Sequence, residues 1–258
     1  MTASQLEKAL MMRLGHAIVS KLGSVAEGTL DILYPRVCAV CVRPAEGGHY
    51  ICWDCLAEIP FIRDPYCSLC GDPFEGAVEH DFVCSWCLKH KPAFDLARSA
   101  VRYRGPIGKL LQQYKYNNAT HLSYDLCLLL AGCVRAHLLS DGIDAIAYVP
   151  LHPRKARARS YNQARLLAEH LSRRLKVPIE RNALRRVRWT STQTRLSAEA
   201  RRANVIGAFH SPIPDWVEGR RWLLIDDVMT TGATVDACAR VLKEHGARRV
   251  VVATVARG

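Results

Sequence analysis

From Lys91 onward the apolar residues alternate between two textures. Short runs of Val, Ile, Leu and Ala are separated by longer stretches in which apolar positions recur every three or four residues. The pattern predicts strands near Ala97–Tyr103, Ile143–Val149, Val205–Phe209, Arg221–Ile225 and Arg249–Val255. Helices are expected near Pro106–Tyr116, His121–Leu139, Asn162–Leu175 and Thr234–His245, with a Pro-bounded loop after Val149 and an irregular stretch after Leu175. Strands alternating with helices predict an α/β fold, a mostly parallel sheet flanked by helices, over residues 92–258. Near the N-terminus, Leu6, Leu10, Leu14, Ala17, Ile18 and Leu22 sit on one helical face, which predicts an amphipathic helix within residues 1–33. Core packing and contact with a membrane surface both fit such a helix. Glu7, Lys8, Arg13 and His16 interrupt the apolar core that a secretory leader would need. No run approaches the roughly 18 apolar residues of a membrane span, so a soluble, cytoplasmic protein is expected.

Residues 34–91 have neither texture. Eight of the eleven cysteines fall here, as the doublets Cys38/Cys41, Cys52/Cys55, Cys67/Cys70 and Cys84/Cys87. A C-x-x-C doublet places two thiolates on one tight turn, and two doublets complete the soft tetrahedral cage that zinc prefers. A lone doublet would also suit redox chemistry and a secreted domain would suit disulfides. Four regular doublets without a leader favour two structural zinc ions, with every ligand position closed by sulfur. Two pairings are open: consecutive doublets, with Ile59–Ile62 as connector, or a cross-braced arrangement of alternate doublets. Cys127, Cys133 and Cys238 lie in apolar helical stretches, where burial is their expected role.

Composition adds one constraint. The 258 residues carry a formal net charge of +12, and the whole excess lies between Arg154 and Arg202, where fifteen Lys or Arg face three Asp or Glu. Such a segment attracts polyanions, from nucleic acid to a phosphorylated metabolite, although a solvated helix face has the same composition.

The most specific stretch is Leu223-Leu224-Ile225-Asp226-Asp227-Val228-Met229-Thr230-Thr231-Gly232-Ala233-Thr234. A buried strand leads to two carboxylates and then to a Thr/Gly turn that opens a helix. Ligands of open α/β sheets bind beyond the carboxyl ends of the strands. A helix start offers unpaired N–H groups to a phosphate, Gly232 permits close approach, and adjacent carboxylates accept hydrogen bonds from vicinal hydroxyls. A ribose 5-phosphate satisfies all three features.

This stretch resembles the motif by which type I phosphoribosyltransferases bind 5-phosphoribosyl 1-diphosphate (PRPP). The resemblance implies that Thr230, Thr231, Gly232, Ala233 and Thr234 hold the 5-phosphate, and that Asp226 and Asp227, the catalytic pair, meet the ribose hydroxyls. A second region is Val149-Pro150-Leu151-His152, followed by Arg154, Lys155, Arg157, Arg159 and Tyr161-Asn162-Gln163-Ala164. Thr190, Gln193, Leu196, Arg201, Arg202 and Asn204 come next, before Ala208-Phe209. With the cysteine doublets, this order is similar to the ComF family of competence-associated phosphoribosyltransferase-like proteins, over nearly the whole chain after about Leu30. That family commonly has Arg-Gly-Phe-Asn-Gln where this chain reads Arg159-Ser160-Tyr161-Asn162-Gln163. Ser narrows the backbone conformations that Gly would allow. By the resemblance, the segment after Val149, with Arg154, Lys155, Arg157, Arg159, Asn162 and Gln163, is the pyrophosphate loop, and Thr190–Asn204 closes over the site.

The resemblance implies a double zinc ribbon over 34–91 and a phosphoribosyltransferase domain over 92–258, with magnesium accompanying PRPP or another phosphoribosyl ligand. Two functions fit. One is a PRPP-dependent transferase associated with DNA uptake in natural transformation and with DNA-uptake proteins. The other is a non-catalytic module that keeps the phosphoribosyl pocket and binds single-stranded DNA along its basic segment. Tyr103, Tyr114 and Tyr116 offer rings for a base to stack on, or core packing.

Overall fold

The computed structural model describes residues 36–76, 82–140, 142–189 and 198–258. The expected N-terminal helix within residues 1–33 lies outside them, as do Thr190, Gln193 and Leu196. Packing divides the chain into one unit that ends at Trp53 and another from Asp54 to Gly258.

The described part of the first unit is a turn-rich ribbon. Val37 bridges Pro44 in antiparallel fashion, the Ala39 N–H donates to the Tyr50 carbonyl at 2.9 Å, and the Arg36 guanidinium lies 5.5 Å from the Tyr50 ring centre.

Among the described residues the elements are α1 (Trp53–Ala57), α2 (Ser85–His90), β1 (Leu96–Arg102), α3 (Pro106–Tyr116), α4 (Ser123–His137), β2 (Ala145–Tyr148), α5 (Pro153–Arg159), α6 (Gln163–Leu175), β3 (Arg185–Arg186), α7 (Ala198–Val205), β4 (Phe209–His210), α8 (Pro214–Val217), β5 (Arg221–Met229), α9 (Ala233–Glu244) and β6 (Arg249–Arg257). The main sheet has the order β1-β6-β5-β2, and every pairing in it is parallel. Central β6 is buried from Val250 to Ala256, as a strand covered on both faces must be. Ser99 and Thr254, partners in register, satisfy each other at 2.6 Å between hydroxyl oxygens inside that sheet. Helices α4 and α6 pack on each other and on the strands, while α9 packs on β4, β5, β6 and α7. Trp222, Tyr114, Phe94, Leu126, Ile146 and Leu167 are fully buried between these layers.

Three expectations change. The segment after Val149 is not a loop: Pro153 starts α5, the His152 ring accepts from the Arg154 N–H at 3.2 Å, and the basic residues ride a helix. A dense run of Arg and Lys hid the helical period, because no apolar stripe marks a short, half-exposed helix. The strand placed at Val205–Phe209 shrinks to Phe209–His210, since Val205 ends α7 and Gly207 turns the chain at φ 64°. The strand from Arg221 continues past Ile225 to Met229, so Asp226 pairs in register with Thr254 instead of following the strand.

Candidate functional site

The sulfurs group by consecutive doublets. Cys38, Cys41, Cys52 and Cys55 form one set, and Cys67, Cys70, Cys84 and Cys87 another, with the Sγ atoms of each set within 4.8 Å of one another. Cross-bracing is thereby set aside: Cys41 and Cys52 are 3.6 Å apart, Cys67 and Cys87 3.9 Å, and Cys70 and Cys84 3.8 Å. Each knuckle closes alike, the Val42 N–H donating to the Cys38 carbonyl and the Gly71 N–H to the Cys67 carbonyl. Val37 bridges Pro44 just as Tyr66 bridges Pro73, which exposes a repeat, Cys-x-x-Cys-x-x-Pro, that was legible in the chain but unread. Burial opposes a charge on Cys67, yet N–H donors from Cys70, Cys84 and Leu69 bring its pKa down to about 7. Four converging sulfurs with backbone donors on one of them suit zinc. Cys127, Cys133 and Cys238 are buried as expected.

The second constellation lies at the carboxyl ends of β2 and β5. These strands pair with Tyr148 opposite Ile225, and the Val149 N–H donates to the Ile225 carbonyl at 2.9 Å. Because β2 and β5 run parallel, α5 after β2 and the Thr230–Thr234 turn after β5 leave the sheet at the same end. In that turn Gly232 adopts φ 78°, ψ −2° and caps α9, and its carbonyl accepts from the Asp236 N–H at 2.8 Å. A Cβ there would stand 2.9 Å from Met229 Cε, the tip of a flexible side chain that can yield, so it is the left-handed backbone that calls for glycine. The Thr231 hydroxyl accepts from the Ala233 N–H at 3.5 Å, a long contact that leaves the helix start open to a stronger acceptor.

Asp227 is buried and Asp226 partly so. Asp226 Oδ1 accepts from the Asp227 N–H at 2.9 Å. Burial, and then the neighbouring Asp227 charge, push the Asp226 carboxyl up to about 8, against the pull of Lys115. Lys115, at the end of α3, was not among the expected site residues. Its Nζ lies 3.2 Å from Asp227 Oδ2; burial disfavours its charge, but the two carboxylates outweigh this and raise its pKa. No local signal marks it, because a single Lys in an amphipathic helix ordinarily faces water.

The residues from Arg159 to Gln163 serve a purpose their sequence did not disclose. Tyr161 donates to the Tyr114 carbonyl, Tyr114 donates to the Gln163 carbonyl at 2.9 Å, and the Gln163 amide donates to the Lys115 carbonyl at 3.4 Å. The Arg159 guanidinium stacks 4.9 Å from the Tyr116 ring centre. Together they clasp the end of α3 and hold Lys115 at the carboxylates. Asn162 accepts from the Arg165 N–H to cap α6 and donates to the Val149 carbonyl at 3.1 Å. Ser160 takes the left-handed conformation at φ 62°, the one glycine supplies most readily. Arg154 and Arg157 are exposed and Lys155 is half-buried, its Nζ 5.7 Å from the centre of the Trp189 ring, which also meets His152 edge-on. Tyr114 is core, whereas Tyr103 and Tyr116 are exposed.

Residues 29–88 match the double zinc ribbon domain and residues 162–258 the phosphoribosyl transferase domain. The chain is 34% identical over 211 residues to competence protein F of Haemophilus influenzae, covering 80% of this chain and 90% of that one. It is 34% identical over 222 residues to the DNA utilization protein YhgH of Escherichia coli O157:H7, covering 84% and 95%. Among solved structures, the glutamine phosphoribosylpyrophosphate amidotransferase from B. subtilis, complexed with ADP and GMP, aligns at 20% identity with a TM-score of 0.34, covering 51% of this chain and 25% of that one.

Proposed function

The chain belongs to the competence protein F family, a double zinc ribbon joined to a phosphoribosyltransferase domain, and from that premise we propose that it binds PRPP with magnesium at the β2–β5 crevice in the service of DNA uptake. The observation that carries this reading is that three unlike groups stand at the same end of two neighbouring parallel strands: the Asp226–Asp227 pair and the Gly232 turn on and after β5, and the basic start of α5 after β2. The N–H groups of residues 231–234 receive the 5-phosphate, and Asp226 and Asp227 accept from the ribose hydroxyls. Lys115 offsets the carboxylate charge, which lowers the repulsion that an incoming polyanion meets. Arg154, Lys155 and Arg157 lie where a leaving diphosphate gathers charge. Magnesium, when bound with the ligand, neutralises diphosphate oxygens.

Titration calorimetry with PRPP and Mg2+ in chelator-free buffer tests this. Binding by the parent and its loss in Asp227→Asn support the reading; a folded, zinc-loaded parent that gives no heat and no competition at any salt concentration overturns it.

A second reading has its own observation. Arg154, Arg157, Arg185, Arg188 and Trp189 are all exposed, and charge interleaved with an aromatic ring suits single-stranded DNA. Binding there would fall steeply with salt, and PRPP would compete with it.

A further inference from the structure

The second cysteine set does not stand apart from the crevice. Cys67, Cys70 and Cys87 belong to the same buried cluster as Phe94, Met229, Ala233 and Val235. Three ties run from this ribbon to the two ends of the Thr230–Thr234 turn. At the near end, the Arg257 Nε donates to Asp72 Oδ1 at 3.0 Å and its Nη1 to the Met229 carbonyl at 3.2 Å, one guanidinium joining the Cys70 knuckle to the last residue of β5. Beyond the turn, Asp236 in the first turns of α9 accepts from the Ala93 N–H at 2.6 Å, just past α2, and pairs with Arg202 at 3.8 Å, whose guanidinium also reaches the His90 carbonyl at 3.4 Å. Over the turn itself stands Trp86, on α2 between Cys84 and Cys87. The tip of its indole lies 4.0 Å from where a Gly232 Cβ would be, and its ring packs 4.8 Å from His90.

We propose that the second zinc centre is part of the sugar-phosphate site, with Trp86 as a positioning residue: the metal-closed ribbon holds the indole and the Asp72–Arg257 tie against the Thr230–Thr234 turn and keeps its N–H groups converged. The physical basis is preorganisation. A turn that presents its N–H groups to a ligand must hold them in one geometry, and a rigid neighbour removes part of the ordering cost that the ligand would otherwise meet. Zinc supplies that rigidity because a chain this short between doublets has no core of its own. The ligand assigned to this turn rests on the PRPP reading above; the mechanical coupling does not.

The test uses the full chain, loaded with zinc, as parent, Trp86→Ala, Trp86→Phe, Asp72→Ala and the first-set double variant Cys38→Ser/Cys41→Ser. Amide hydrogen exchange at residues 230–234 is measured without ligand, zinc content on the same samples, and PRPP affinity with Mg2+ by calorimetry. Trp86→Ala and Asp72→Ala should keep two zinc ions, speed exchange in the turn, and weaken PRPP by about tenfold, one order of magnitude in the population of the competent turn. Trp86→Phe should recover most of both effects, and the first-set variant should lose one zinc while leaving exchange and affinity near those of the parent. Unchanged exchange at 230–234 in both Trp86→Ala and Asp72→Ala overturns the proposal, as does an equal effect from the first set. If Trp86→Ala fails to retain zinc, Asp72→Ala, which removes a half-exposed carboxylate and keeps the backbone bonds of the knuckle, decides alone provided its own zinc content is two. A parent that binds no PRPP, with exchange that still responds, overturns the ligand reading and leaves the coupling standing.

Discussion

Replacing Asp226 by Asn should give a stability advantage over the parent that grows as pH rises, and should weaken the ligand contact proposed above. In the folded chain burial and the Asp227 charge raise the Asp226 carboxyl from 3.8 to about 8. Between those values the folded state holds a proton that the unfolded chain has released, so stability falls as pH rises through the window and the penalty is complete above about 8. Each pH unit inside the window is worth at most about 1.4 kcal/mol, so the two units from pH 6 to 8 bound the effect at about 3 kcal/mol. Asp226 keeps some contact with water, which reduces this to about 1–2 kcal/mol. Asn is neutral throughout, and its carbonyl can still accept from the Asp227 N–H. For a domain of this size about 1–2 kcal/mol corresponds to roughly 2–8 °C in Tm. Calorimetric melting of parent and Asp226→Asn at half-unit steps from pH 6 to 9, in zinc-containing buffer, should show the variant's advantage growing by that amount up to pH 8 and then levelling. A gap that stays constant with pH, or that narrows, would refute the account of Asp226 as a carboxylate held against its own ionisation.

Metal analysis of protein purified without chelator should give about two zinc per chain, and Cys→Ser at Cys67 should lower it to about one; a value near zero with thiols paired as disulfides would remove the zinc assignment. Gly232→Ala should cost about 1–2 kcal/mol from the left-handed backbone, with the Met229 tip moving aside, and abolish PRPP heat; a stable variant with parental affinity would misplace the phosphate. Single-stranded DNA binding should show a log–log salt slope of about −3 to −4 for four to six phosphate contacts, and Arg154→Glu/Arg157→Glu/Arg185→Glu should flatten it; an insensitive affinity would leave the basic segment as a solvated surface. Arg186 is left out of that set because it is half-buried, 5.3 Å from the Phe209 ring, where a carboxylate would disrupt packing.

What the chain disclosed by itself was local chemistry. A Cys-x-x-Cys doublet makes its turn from four consecutive residues, and Asp226 to Thr234 makes a carboxylate pair, a left-handed glycine and a helix start from nine. Each could be read without knowing what stood opposite, and the alternation of strand and helix was enough to predict the parallel sheet. The basic α5 escaped because a short polar helix lacks the apolar stripe by which helices are recognised. Other features were decided only by folding, because they join residues far apart in sequence through contacts that leave no periodic trace. The pairing of the doublets, the delivery of Lys115 to Asp227 by the Tyr114–Tyr161–Gln163 clasp, and the placement of Trp86 over Gly232 are of this kind. Side-chain spacing along the chain reports a neighbour three or four residues away, whereas the distance from α3 or the second ribbon to β5 is set by the register of β2, β5 and β6 and by the core packed between them.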